Sequence, residues 1–141
     1  MTACPGKILI VDDDSDSVTY IGSLIRSHGL EPVTAGSMEE GLREVRKSPP
    51  LCVILNCMMC GEDGICFYRA LKTDQAFRKV PVIMISSIRR DTILRSGVLS
   101  TAQADQTIPE PEAFLANPPD AEALILAVEK LTSRPESAPG R

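Results

Sequence analysis

Short apolar runs alternate with amphipathic stretches along this chain, the pattern of strands buried on both faces and of the helices that cover them. Lys7–Val11 is a β-branched apolar run that three aspartates, Asp12, Asp13 and Asp14, end at once. Asp14 or Ser15 can cap the helix that follows, whose apolar face is Val18, Ile21, Leu24 and Ile25. Gly29 stands where a left-handed C-terminal cap belongs. Glu31–Ala35 predicts a weak second strand, with Pro32 suited to a sheet edge. Ser37 and Glu40 have the spacing of a capping box, and the helix they open turns Met38, Leu42 and Val45 inward. Pro49 and Pro50 close that unit.

The run from Leu51 to Leu55 is the strongest strand signal in the chain and belongs at the centre of a sheet. A loop from Asn56 to Gly64 leads into a helix from Ile65 to Thr73, and a fourth strand runs from Val80 to Ile85, ending at Ser86 and Ser87. Ile93, Leu94 and Val98 predict a short fourth helix that stops by Ser100. Thr101 to Glu112 is polar, holds two prolines and reads as a loop; Ala113–Ala116 is a brief fifth strand. Asp120 caps the last helix, with Leu124, Ile125, Val128 and Leu131 on its buried face. Five βα units predict an α/β fold, one doubly wound, five-stranded parallel sheet with helices on both faces, in a single domain over residues 1–132. Residues 133–141, with two prolines, a glycine and few apolar side chains, predict a flexible tail. In such sheets, ligand chemistry gathers at the carboxyl ends of the strands, here Asp12 to Asp14, Asn56 and Ser86.

Composition narrows the partners. At 141 residues the chain supports one core, and with 4% aromatics that core must be aliphatic. A net charge of −4 and a pI of about 5.0 give nucleic acid and anionic lipid no general electrostatic match. No apolar run reaches the length of a membrane span, and Met1 to Gly6 lacks the pattern of a secretory signal, so a cytoplasmic protein with no membrane partner is expected. The five cysteines are an odd number and read as reduced thiols. Cys57 and Cys60 have C-x-x-C spacing, but zinc wants about four ligands and only Cys66 is near in sequence, with His28 remote. Cys52 reads as a small core hydrophobe. No Gly-rich phosphate loop follows the first strand, which leaves nucleotide binding unsupported.

Four segments carry a resemblance: Ile8 to Asp14 (ILIVDDD), Val53 to Gly64 (VILNCMMCGEDG), Pro81 to Ser87 (PVIMISS) and Phe114 to Asp120 (FLANPPD). In that order at those strand ends, they resemble the receiver domains of bacterial response regulators, over roughly Lys7 to Leu131. The resemblance implies a flavodoxin-like fold and a place in two-component or phosphorelay signalling. It implies an acidic, Mg²⁺-binding pair at Asp12 and Asp13, a hydroxyl switch position at Ser86 and an aromatic switch position at Phe114. The phosphoacceptor position falls on Asn56 and the lysine position on Asn117, identified by Pro118 after it, with a cis peptide implied between them.

Asn56 and Asn117 depart from the family pattern, and both departures bear on chemistry. An amide oxygen is a poor nucleophile where a carboxylate is needed, and a short neutral amide cannot clamp a phosphoryl oxygen as a lysine does. Mg²⁺ prefers anionic oxygens, so Asp13, Asn56 and the Met58 carbonyl would make a weak site at best and no tightly bound cofactor. The changes also balance: three carboxylates facing one lysine carry the same formal charge as two facing none. The expectation is a stand-alone pseudo-receiver, not an enzyme, that acts by protein–protein interaction. Its partner would be a histidine kinase or a downstream regulator, met through the face of the fourth helix, fifth strand and fifth helix. Two rivals remain: phosphorylation on another carboxylate (Asp12, Asp13 or a deamidated Asn56), and a thiol switch at Cys57 and Cys60.

Overall fold

Every residue of the first, third and fourth strands is buried, as runs with no polar face require. The structure is a computed structural model that describes residues 6–56, 63–87 and 110–132. In chain order the elements are β1 (Lys7–Val11), α1 (Ser15–Ser27), β2 (Glu31–Ala35), α2 (Met38–Lys47) and β3 (Cys52–Asn56). Then come α3 (Asp63–Thr73), β4 (Val82–Ser86), β5 (Ala113–Ala116) and α4 (Ala121–Thr132). All strand pairings are parallel, in the order β2-β1-β3-β4-β5. The expected doubly wound sheet is therefore present, with Pro32 on an edge strand. The short helix expected around Ile93 to Val98, most of the 101–112 loop and the 133–141 tail lie outside the described residues.

Alternation along each strand builds two aliphatic layers. Leu9, Val11, Val53, Leu55 and Met84 face α2 and α3, where Val45, Phe67 and Leu71 meet them. Ile8, Ile10, Ile54, Ile83 and Ile85 face α1 and α4, against Ile21, Ile25, Leu124 and Val128. Fully burying each such side chain stabilises by about 1.5–3 kcal/mol, so many aliphatics stand in for the missing aromatics. Cys52 is wholly buried in the second layer, and burial pushes its thiol up to about 12, an inert core position.

Caps set the helix boundaries. Asp14, not Ser15, caps α1: its Oδ2 accepts from Ser17 N at 2.9 Å. Ser37 Oγ accepts from Glu40 N at 3.2 Å, and Glu40 Oε1 accepts from Gly36 N at 2.7 Å, so the return bond reaches one residue before the cap. Asp120 Oδ2 accepts from Ala123 N at 3.0 Å. Gly29 has φ +80°, the left-handed conformation that only glycine adopts without strain. Gly41 lets α2 approach α3, since a Cβ there would stand 2.8 Å from Phe67 Cε1. Gly22 differs: a Cβ in its place meets only Pro32 Cβ, at an ordinary 3.9 Å. Mid-helix glycine costs about 1 kcal/mol against alanine, and packing does not demand it here.

One polar cluster, built on a buried lysine and a partly exposed glutamate, has no counterpart in the hydrophobic pattern. Lys72, in the last turn of α3, donates through Nζ to Arg78 O (3.2 Å), Val80 O (3.0 Å) and both carboxylate oxygens of Glu112 (3.2 and 3.1 Å). Glu112 Oε1 also accepts from Val82 N at 2.8 Å. The C-terminal end of the expected polar loop is thus anchored to α3 and to the start of β4.

Candidate functional site

The sheet order puts the ends of β1, β3 and β4 side by side, and the expected residues stand there. Asp12 follows β1 directly; its N–H donates to Ala35 O at 3.0 Å and the residue is 4% exposed. Asn56 ends β3 and Ser86 ends β4, both buried. Ser86 pairs in register with Ala116, which places Asn117 one residue beyond it, and the Asn117–Pro118 peptide is cis, as implied. Phe114, in register with Met84, packs against the layer shared with α2 and α3. Tyr20 Oη donates to Pro119 O at 3.1 Å and ties α1 to the loop after β5.

The hydrogen bonds decide what this pocket can do. Asp12 Oδ1 accepts from Asp14 N at 2.9 Å and from Asn56 Nδ2 at 3.1 Å. Asn56 therefore turns its amide nitrogen, a donor, toward the acidic pair; its oxygen there would meet a carboxylate of like polarity. Asp12, Asp13, Thr34 and Glu40 line a cavity of about 330 Å³ beside this contact. Glu40 was legible in sequence only as a cap, and its place at the acidic rim follows from β2 lying next to β1.

Burial raises the Asp12 pKa above the ordinary 3.8; the Asp14 N–H and the Asn56 amide pull it down, and the Asp13 and Asp14 charges push it up. A carboxyl raised in the folded state contributes stability that is complete below its unfolded pKa and lost as pH rises through its folded one. Asp12→Asn keeps an oxygen for both donors and removes that loss. The variant is expected to melt above the wild type at pH 7. The gap closes as pH falls toward 3.8 and below. Thermal melts of both proteins across pH 3–8 (about five units around the carboxylate range) check this.

Among the described residues, Asp12 and Asp13 supply carboxylates at the expected Mg²⁺ position and Asn56 turns its amide nitrogen to Asp12, while Met58 lies outside the described residues; Mg²⁺ wants anionic oxygens in a near-octahedral set. Among the described residues, no group of three or more His, Cys, Asp or Glu side chains could hold a metal. Cys57 and Cys60 lie outside the described residues, and Cys66 is a free, half-buried thiol on α3. His28 Nδ1 lies 3.1 Å from Leu24 O and 3.2 Å from Ser27 Oγ at the C-terminal end of α1, a capping arrangement. No helix among the described residues is long and apolar enough to cross a membrane.

Comparison with known proteins agrees with this geometry. The family model for the response regulator receiver domain matches residues 8–113. The DNA-binding response regulator MtrA of Mycobacterium tuberculosis is 31% identical over 87 residues, 62% of this chain but only 36% of that protein. This chain thus spans little more than a third of the curated relative. Among solved structures, a putative response regulator from Chloroflexus aurantiacus superposes with TM-score 0.76 at 24% identity, covering 92% of this chain and 99% of that one. The signal receiver domain of a signal transduction histidine kinase from Syntrophus aciditrophicus gives 0.77 at 21% identity, covering 97% of each. These two share the fold. On the family match, backed by the parallel sheet and its strand-end pocket, the chain belongs to the response regulator receiver domain family.

Proposed function

We propose that this receiver domain takes no phosphoryl group at its acceptor position and signals by binding a protein. The observation that carries the reading is the 3.1 Å bond from Asn56 Nδ2 to Asp12 Oδ1: the residue at the acceptor position offers the pocket a donor, not a nucleophile. Asn117 at the lysine position does not itself supply a cation to stabilise a phosphoryl oxygen. Mg²⁺ binds weakly for the same reasons, and the domain is not an enzyme. In the cytoplasm its partner is a histidine kinase or a downstream regulator, met on the face that includes β5 and α4. The DNA binding in MtrA's name is not carried over to this chain.

With no phosphoryl group to bias two states, affinity for the partner met on the β5–α4 face depends on that surface and not on the Ser86 switch position. The test takes the protein that wild type captures from native lysate and measures its affinity for two variants. We take the polar 101–112 segment as the recognition surface, so scrambling residues 101–108, which spares Glu110, Pro111 and the anchored Glu112, is expected to weaken binding at least about tenfold with an unchanged melt. Ser86→Ala is expected to change it less than about twofold. The opposite ranking would leave the pocket in control and overturn the proposal.

A further inference from the structure

The cavity beside Asp12 and Asp13 does not end there. It shares Val18, Thr19 and Thr34 with a second cavity, also of about 330 Å³, that continues between α1 and β2 as far as Arg26. The two form one groove along the sheet edge. One end is acidic, with Asp12, Asp13 and Glu40; the other carries Arg26, which forms no ion pair with a described residue. Gly22 and Pro32 lie between. Gly22 is the independent sign that the groove is kept open, because a Cβ there would meet Pro32 Cβ only at an ordinary 3.9 Å yet would narrow the floor.

The backbone excludes one occupant. Glu31 N–H points to Gly6 O at 2.7 Å, so the next residue, Pro32, faces the open edge, where it has no N–H to donate. A second strand cannot extend the sheet there in full register. The groove is left to a segment recognised by its side chains. From Ser15 to Arg26 the helix advances about 16 Å at ~1.5 Å per residue, the reach of about five extended residues at ~3.3 Å each.

We propose that the α1–β2 groove binds an extended peptide segment of a partner protein, with a lysine or arginine at one end and a carboxylate side chain about five residues away. The cation meets Asp13 and Glu40 beside the buried Asp12 carboxylate, and the anion meets Arg26. The groove lies between α1 and β2 and includes no residue of β5 or α4, and its test uses peptide probes in place of the captured partner, so the two proposals fail independently.

The probe is a blocked hexapeptide with Lys first, Glu last and alternating Val and Ser between, together with its reverse sequence and a neutral version carrying norleucine and Gln. Titration calorimetry is expected to show saturable binding of one charged orientation, at least about tenfold tighter than the neutral peptide. Asp13→Asn should weaken the charged peptide but not the neutral one, and Arg26→Gln likewise. Gly22→Leu should abolish binding with the fold intact by circular dichroism; if that variant fails to fold, Gly22→Ala should weaken binding several-fold while raising Tm. Equal affinity for charged and neutral peptides, or undiminished binding to the Gly22 variants, overturns the proposal. So does dimerisation of the wild type, seen by sedimentation and lost in the Gly22 variants without peptide binding, because the occupant would then be a second copy.

Discussion

Lys72→Met is expected to lower the free energy of unfolding by about 2 kcal/mol, the cost of leaving buried acceptors unsatisfied, since the Glu112 side chain at 35% exposure keeps access to water. The Lys72 side chain is 1% exposed and its ammonium satisfies two backbone carbonyls as well as the Glu112 carboxylate. Methionine fills the stem's volume but strands the Arg78 and Val80 carbonyls and leaves the Glu112 carboxylate with the Val82 N–H and water. Glu112→Gln is milder, about 1–2 kcal/mol, since the amide oxygen still accepts from Val82 N and Lys72. By contrast the Lys47–Glu44 pair, at 3.9 Å with the lysine side chain 68% exposed, should contribute less than about 0.5 kcal/mol. Urea unfolding with unchanged slopes measures all three. A Lys72→Met cost below about 1 kcal/mol would mean that the cluster is far wetter than its geometry implies.

That cluster also shows where sequence reading stops. Strands β1, β3 and β4 were legible because a strand buried on both faces leaves a continuous apolar run that little else imitates. Asp120, Ser37 and Gly29 were legible because a cap depends on residues a few positions apart. The Lys72–Glu112 pair spans 40 positions, and each member has the polarity of an ordinary surface residue. Nothing local distinguishes a lysine that snorkels to water from one whose ammonium is enclosed by carbonyls. The strand-end pocket was legible by position, since Asp12, Asn56 and Ser86 each terminate an apolar run. Its chemistry was legible only in part: residue identity removes the nucleophile at Asn56, but the direction in which the amide points follows from Asp12 lying opposite it. The α1–β2 groove was not legible, because it is defined by a missing side chain at Gly22 and by β2 packing beside α1.

The central claim is that the pocket accepts no phosphoryl group, and the Asn56–Asp12 contact makes a graded prediction from it. On the proposed reading, wild type offers an amide at the acceptor position, Asn56, and an amide at the lysine position, Asn117. Asn56→Asp supplies the nucleophile but sets two carboxylates about 3.1 Å apart, where like charges repel and one holds a proton. That variant is expected to be less stable than wild type without Mg²⁺, to regain stability with it, and to label slowly at most. Asn56→Asp with Asn117→Lys adds a cation at the lysine position, and labelling should rise by about 10²-fold or more over the single variant, the usual weight of one preorganised charge at a developing anion. The most direct measurement is intact mass spectrometry of the wild-type protein after incubation with a phosphoramidate and Mg²⁺. No change in mass is predicted; a stable gain of one phosphoryl group would contradict the account.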